Sequence, residues 1–486
     1  MAECLMRSAL AALLIAFSGC SASGERDRAG LVKLSCDGTT GRNARCYSLA
    51  VPEQRGEGAS AGGSDGRTIR LRIVVLPATD EEQKAADPIF FLAGGPGQAA
   101  TEILGDPGIT GGPFRSRRDL VFVDQRGTGG SHRLDCRFYG PAQDVQSFFG
   151  DFMPIERVRR CREELERDAD LTQYTTAASV ADLEDVRTAL GYGQINLSGG
   201  SYGTRLAMEY VRGHGANVRA VMLDGAVPPS VGIPAAFSRL AQRALDDLLT
   251  ECAADSVCAA EFPRIRDEAR AVFERLERGP VRTIVGNPAV DVTISRDNVA
   301  EAIRYMTYSS RQAARVPLYL HQAFSGNYTP IAEYLRRHRG DGTFDGLYLS
   351  ITCTEDVPRV PADAAEREHG TYLGGYRVRQ QRAACGVWPG GQVPSWTGTA
   401  VASQVPVLIT SGALDPVTPP EHGDEVARTL PNSLHVRIPF GGHSPEGLAN
   451  LGCIARIKQT FIEQGHVRGI DTSCVAGIAR RGFATR

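Results

Sequence analysis

Apolar positions fall into two regimes along the chain. In the first, short apolar runs alternate with amphipathic stretches. Pro88-Ile89-Phe90-Phe91-Leu92, Leu120-Val121-Phe122-Val123, Gln194-Ile195-Asn196-Leu197 and Val218 to Leu223 read as strands, and Val405–Thr410 and Ser433–Ile438 add two more. Helical patterns follow two of them, at Thr204–Arg212 and Cys453–Gln464. Strands that are apolar without interruption are buried on both faces, so this alternation predicts a mostly parallel sheet with helices on both sides. Arg45–Pro52 and Thr68–Leu76 are also strand-like, the second alternating as TIRLRIVVL. The polar glycine stretch between them, residues 56 to 66, is most simply a hairpin loop.

The second regime runs from about residue 230 to 400. Residues 236 to 278 and 296 to 340 are charge-rich and helical in pattern, as in IRDEARAVFERLER, and no strand–helix alternation is visible until Val405. This block predicts an inserted, mainly helical cap over the strand ends. The expected division is a core in two parts, 45–229 and 401–486, interrupted by a cap at 230–400.

The N-terminus changes the picture. Arg7 precedes an apolar run, Ala9 to Phe17, too short to span a bilayer comfortably, which reads as the apolar part of a signal peptide over residues 1–20. Phe17-Ser18-Gly19-Cys20 resembles the lipobox of bacterial lipoproteins, which implies lipidation of Cys20 followed by a tether and N-terminal segment, 21–44. Cleavage near Ala22 to give a soluble periplasmic or secreted protein is the alternative. Cysteine usage agrees with export. Of 12 cysteines, setting aside Cys4 and Cys20 leaves an even ten, which suggests disulfides. Pairing sequence neighbours would give 36–46, 136–161, 252–258, 353–385 and 453–474, though sequence alone fixes no connectivity. Zinc is the weaker reading, because no C-x-x-C pair occurs and no histidine lies at ligand spacing. A formal charge of -2 offers no field for nucleic acid, so the only membrane association expected is through the lipid.

Candidate chemistry centres on Gly199-Gly200-Ser201-Tyr202-Gly203. The pattern G-x-S-x-G occurs three times, and the matches at Ser60 and Ser64 lie in the glycine loop with no strand before or helix after. Ser201 alone follows a strand and precedes a helix, the arrangement of a nucleophile elbow. A serine that merely caps the helix is the competing reading. A nucleophilic serine needs a base and a group to orient it. Of the downstream histidines His422, His435, His443 and His466, only His443 sits in a glycine loop directly after a strand. Asp415, at the end of the preceding strand and held by prolines, is the expected acid. The oxyanion donors should be the N–H of Tyr202 and that of Gly95, with Gly94 the alternative, in the loop Ala93-Gly94-Gly95-Pro96-Gly97-Gln98.

Together GGPG at 94–97, DQRGTGGS at 124–131, GGSYG at 199–203, the GALDPVTP segment and the GGH loop resemble the proline iminopeptidase and tripeptidyl aminopeptidase-like α/β hydrolases. The resemblance covers nearly the whole mature chain, including a C-terminal region like that of tripeptidyl aminopeptidases. It implies the α/β-hydrolase fold, a Ser201–Asp415–His443 triad, and Arg126 and Asp124 shaping the cleft floor. Ala93 stands where the iminopeptidase pattern HGGPG has His, which argues against narrow proline specificity. Family members grip a substrate's free amino group with cap acids, and Glu355 and Asp356 are the local candidates. The expected activity is cleavage of peptides from a free N-terminus through an acyl-enzyme, without metal or cofactor; a carboxylesterase with the same triad is the rival.

Overall fold

The computed structural model describes residues 30–36, 43–55, 66–140, 143–339 and 343–486. The signal region, Cys20, Ser60 and Ser64 lie outside them.

Nine strands form one sheet: β1 (Leu31–Leu34), β2 (Arg45–Pro52), β3 (Thr68–Leu76), β4 (Ile89–Leu92), β5 (Leu120–Val123), β6 (Ile195–Gly200), β7 (Val218–Asp224), β10 (Val407–Gly412) and β11 (Ser433–Ile438). Their spatial order is β1-β2-β3-β5-β4-β6-β7-β10-β11. Pairings from β1 to β5 are antiparallel; those from β5 through β4, β6, β7 and β10 to β11 are parallel. Every residue of β4 (IFFL) and β5 (LVFV) is buried, because successive side chains point to opposite faces and both faces are covered. Phe90 and Leu92 join a core with Leu183, Val186, Leu206 and Tyr210 from the helices Thr176–Ala189 and Tyr202–His214. Ile89 and Phe91 join the opposite core, closed by Ile454, Ile457 and Phe461 of the helix Gly452–Gln464.

Between β7 and β10 the chain leaves the sheet. The helices Phe237–Ala254, Ile265–Glu277, Arg296–Tyr308, Val316–Phe324 and Thr329–His338 build a third core. A two-stranded antiparallel hairpin, β8 (Val281–Val285) and β9 (Val290–Ile294), packs with them and lies between the two stretches expected to be helical. The later part of this block behaves differently: Leu347, Leu349, Ile351, Ala384, Trp388 and Val401 pack into the sheet's own core rather than the helical one. The ten described cysteines form disulfides 36–46, 136–161, 252–258, 353–385 and 453–474, the sequence-neighbour pairing, and zinc ligation is set aside. Five disulfides fit an oxidising compartment. No helix among the described residues is long and apolar enough to cross a membrane.

Candidate active site

The elbow is built by close backbone approach. β6 ends at Gly200, Ser201 has φ 53° and ψ -124°, and the helix Tyr202–His214 begins at the next residue. A positive φ is costly for a residue with a side chain, so the turn is held by its surroundings. Ser201 N–H donates to Asp224 O at 2.8 Å, and Thr204 Oγ1 returns a bond to Ser201 O at 2.6 Å. Gly203 lets the helix press onto β4, since a Cβ there would lie 2.1 Å from Leu92 O.

Asp415 and His443, the expected acid and base, follow the ends of β10 and β11. His443 Nδ1 lies 2.8 Å from Asp415 Oδ2, and Thr418 Oγ1 donates to the same oxygen at 2.6 Å while lying 2.9 Å from Nδ1. Asp415 Oδ1 accepts from the backbone N–H groups of Val417 at 2.9 Å and Thr418 at 2.8 Å. Asp415 is 0 % exposed, yet its pKa is below the ordinary carboxylate value: burial favours the neutral acid, but His443 and Thr418 outweigh it. Burial likewise opposes the imidazolium of His443, and the Asp415 carboxylate overcomes that, raising its pKa. With Nδ1 held by the acid, Nε2 is the nitrogen left for the nucleophile. Ser201 and His443 line one cavity of about 550 Å³, although the Ser201 hydroxyl makes no hydrogen bond to the ring among the described residues. Such bonds are often long until substrate is bound.

Gly95 lines the same cavity, with φ 103°, a conformation that glycine alone adopts readily. Tyr202 is the first residue of its helix, so its N–H has no intrahelical acceptor and sits beside the nucleophile. Gly94 packs on Ser201 itself: a Cβ there would approach Ser201 Cβ to 3.1 Å.

Asp124 accepts from Thr101 N and Oγ1 and from Gly130 N, fixing the segment after the glycine loop of residues 93–98. Arg126 is fully buried and grips Asp182 with two bonds, 2.7 and 2.8 Å, besides the carbonyls of Glu53 and Gln173. Among the other histidines, His422 lines the cavity, whereas His435 is bound to Asp424 and Ser411.

Glu355 and Asp356, expected to meet substrate, do not line the cavity that holds Ser201 and His443. They lie on a π-helical turn, Thr352–Asp356, that packs behind the elbow. Glu355 accepts from Thr176 N and Thr176 Oγ1, both at 2.6 Å, and Thr176 Oγ1 lies 2.8 Å from the Tyr202 hydroxyl. Asp356 is 0 % exposed and takes Arg205 Nη1 at 2.8 Å and Arg359 Nη2 at 3.2 Å. Both acids support the helix that follows Ser201. The cavity instead presents Asp345, Glu446, Arg304 and Arg377, none singled out by sequence reasoning; Thr418, which it also missed, carries a local signal as the third residue after an Asp at a turn.

Residues 87–445 match the family model described as alpha/beta hydrolase fold. The chain is 25% identical over 442 residues to serine protease Hip1 of Mycobacterium tuberculosis, covering 80% of each protein. It is 27% identical over 427 residues to carboxylesterase B of the same organism, covering 80% of this chain and 78% of that protein. A shorter match to a tripeptidyl aminopeptidase of Streptomyces lividans is 27% identical over 179 residues, 34% of this chain and 33% of the relative.

Proposed function

Because the chain belongs to the alpha/beta hydrolase fold family, we propose that it is an exported serine hydrolase that cleaves peptides from their free N-terminus. The observation that carries this reading is His443, bonded to the buried Asp415, sharing a cavity with a strained Ser201. Ser201 Oγ attacks the scissile carbonyl as His443 Nε2 takes its proton. Asp415 holds the ring and stabilises the imidazolium. The N–H groups of Tyr202 and Gly95 hold the oxyanion. His443 then protonates the leaving amine, and water resolves the acyl-enzyme.

In place of Glu355 and Asp356, Asp345 is the group best suited to a substrate ammonium. It lines the cavity, and its carboxylate makes no hydrogen bond among the described residues. Burial, with Asp135 adding to it and Arg377 opposing it, pushes its pKa up to about 7, and a further cation beside it would draw it toward the charged form. The test is kinetic: free aminoacyl arylamides should be cleaved far faster than their N-acetyl forms, and Asp345→Asn should narrow that gap. Equal rates on both would overturn the aminopeptidase reading.

A carboxylesterase is the second reading. Similarity to carboxylesterase B and the position of Glu355 and Asp356 off the cavity wall favour it. Turnover of simple aryl esters with none of arylamides would establish it. Export as a lipoprotein rests on Phe17 to Cys20; metabolic labelling with an alkynyl fatty acid should mark the wild type and not Cys20→Ala.

A further inference from the structure

The cavity holds two cations that the hydrolytic machinery does not use. Arg304 and Arg377 both line it, yet are only 2% and 3% exposed. Aromatic rings fix them in place: the Arg377 guanidinium carbon lies 3.6 Å from the Phe152 ring centre, and that of Arg304 lies 4.8 Å from Tyr305, 5.2 Å from Tyr308 and 5.3 Å from Phe237. One buried carboxylate, Glu301, serves both. It accepts from Arg304 Nε at 3.1 Å and stands 3.5 Å from Arg377 Nη1 without a hydrogen bond to it. Arg304 Nη1 donates to the Tyr308 hydroxyl at 2.6 Å. Among the described residues, Arg377 makes no side-chain hydrogen bond, and its Nη1 is buried without an acceptor.

Two permanent cations therefore share one ion-paired carboxylate, Glu301, while Asp345 on the same cavity feels the charge of Arg377 but makes no ion pair with it among the described residues. Buried guanidinium donors left unmet are costly, and the planar fork of arginine matches a carboxylate in two-point geometry. The location is next to the chemistry: the ring of Tyr308, which receives the Arg304 bond, lies edge-on to His443 with centres 5.1 Å apart.

We propose that Arg377 and Arg304 form a carboxylate-binding subsite, so that preferred substrates carry an anionic group near the scissile bond. The source is either the C-terminal carboxylate of a short peptide or an acidic side chain. The proposal rests on the hydrolase reading but not on its peptidase half.

Fluorophosphonate labelling of Ser201 comes first; failure of wild type to label overturns the hydrolase reading and the subsite with it. In labelled, active protein, kcat/KM is then compared within matched pairs. A tripeptide free acid against its C-terminal amide tests the terminus, Glu against Gln peptides tests the side chain, and p-nitrophenyl hemisuccinate against p-nitrophenyl butyrate serves if only esters are turned over. The charged member of at least one pair should be preferred by about tenfold or more in wild type, the scale of a hydrogen bond to a charged group. The ratio, whatever either rate does alone, should fall toward one in Arg377→Met and recover in part in Arg377→Lys. Ratios near one for all pairs in wild type would sink the subsite while leaving the hydrolase intact. A ratio unchanged in Arg377→Met would do the same.

Discussion

Asp415 and Glu355 lie on two sides of the same elbow, one beyond His443 and one behind the helix that follows Ser201, both buried and with pKa values shifted in opposite directions. Asp415 receives two backbone N–H bonds, a threonine hydroxyl and an imidazole able to carry charge, and its pKa falls despite burial. Glu355 receives two bonds from Thr176 alone; burial dominates, Asp356 adds to it, Arg205 opposes it, and the pKa climbs to about 7. Depth does not decide whether a buried acid is charged. The number of donors and the presence of a cation on the same oxygen do.

The largest test of this contrast is chemical. Ser201→Ala should lower hydrolysis at least about 10³-fold and abolish labelling, which sets the scale. Asp415→Asn should follow at about 10³- to 10⁴-fold in kcat, because the amide favours the wrong imidazole tautomer. Glu355→Gln, which keeps an acceptor for Thr176, should stay within about tenfold; a loss as large as that of Asp415→Asn would break the comparison. The pH profile sharpens it. His443 must be neutral to act as base, so kcat/KM should rise with pH through a midpoint above the ordinary histidine value of 6.5. In Asp415→Asn that midpoint should move down, since burial then acts unopposed.

Stability against pH gives the smallest effect and the clearest difference in sign. Glu355 shifts from 4.5 to about 7 on folding, so between those values the folded state binds the extra proton and stability falls as pH rises. Asp415 is lowered from 3.8, so its contribution is present above that value and lost as pH falls through the folded pKa. Urea unfolding between pH 4.5 and 7 should show a flatter dependence in Glu355→Gln than in wild type, by about 3 kcal/mol at most across the window.

The sheet was legible because its signal is local. Runs such as Phe90-Phe91-Leu92 are strands in any setting that covers both faces, and the observed β2, β3, β5 and β11 coincide with the segments expected. The hairpin β8–β9 escaped because each strand alternates over only five residues between long helices. Ser201, Asp415 and His443 could be chosen because each sits where a strand ends. The position of Glu355 off this cavity was illegible for the opposite reason: its partner Thr176 is 179 residues away, and nothing near Cys353 shows that this segment packs into the sheet's own core. Arg304, Arg377 and Asp345 belong to helices from separate parts of the insertion, and only packing brings them to one wall.

One peptide contact ties the far segment to the reaction centre. Phe344 N–H donates to Gly97 O at 2.8 Å, two residues from Gly95 on one side and one residue from Asp345 on the other. On the proposed roles, the acid offered to the substrate's leading end and the loop offered to its developing charge would hang from the same thread. Lengthening the chain between Phe344 and Asp345 by one residue would then disturb selection and rate together rather than one alone.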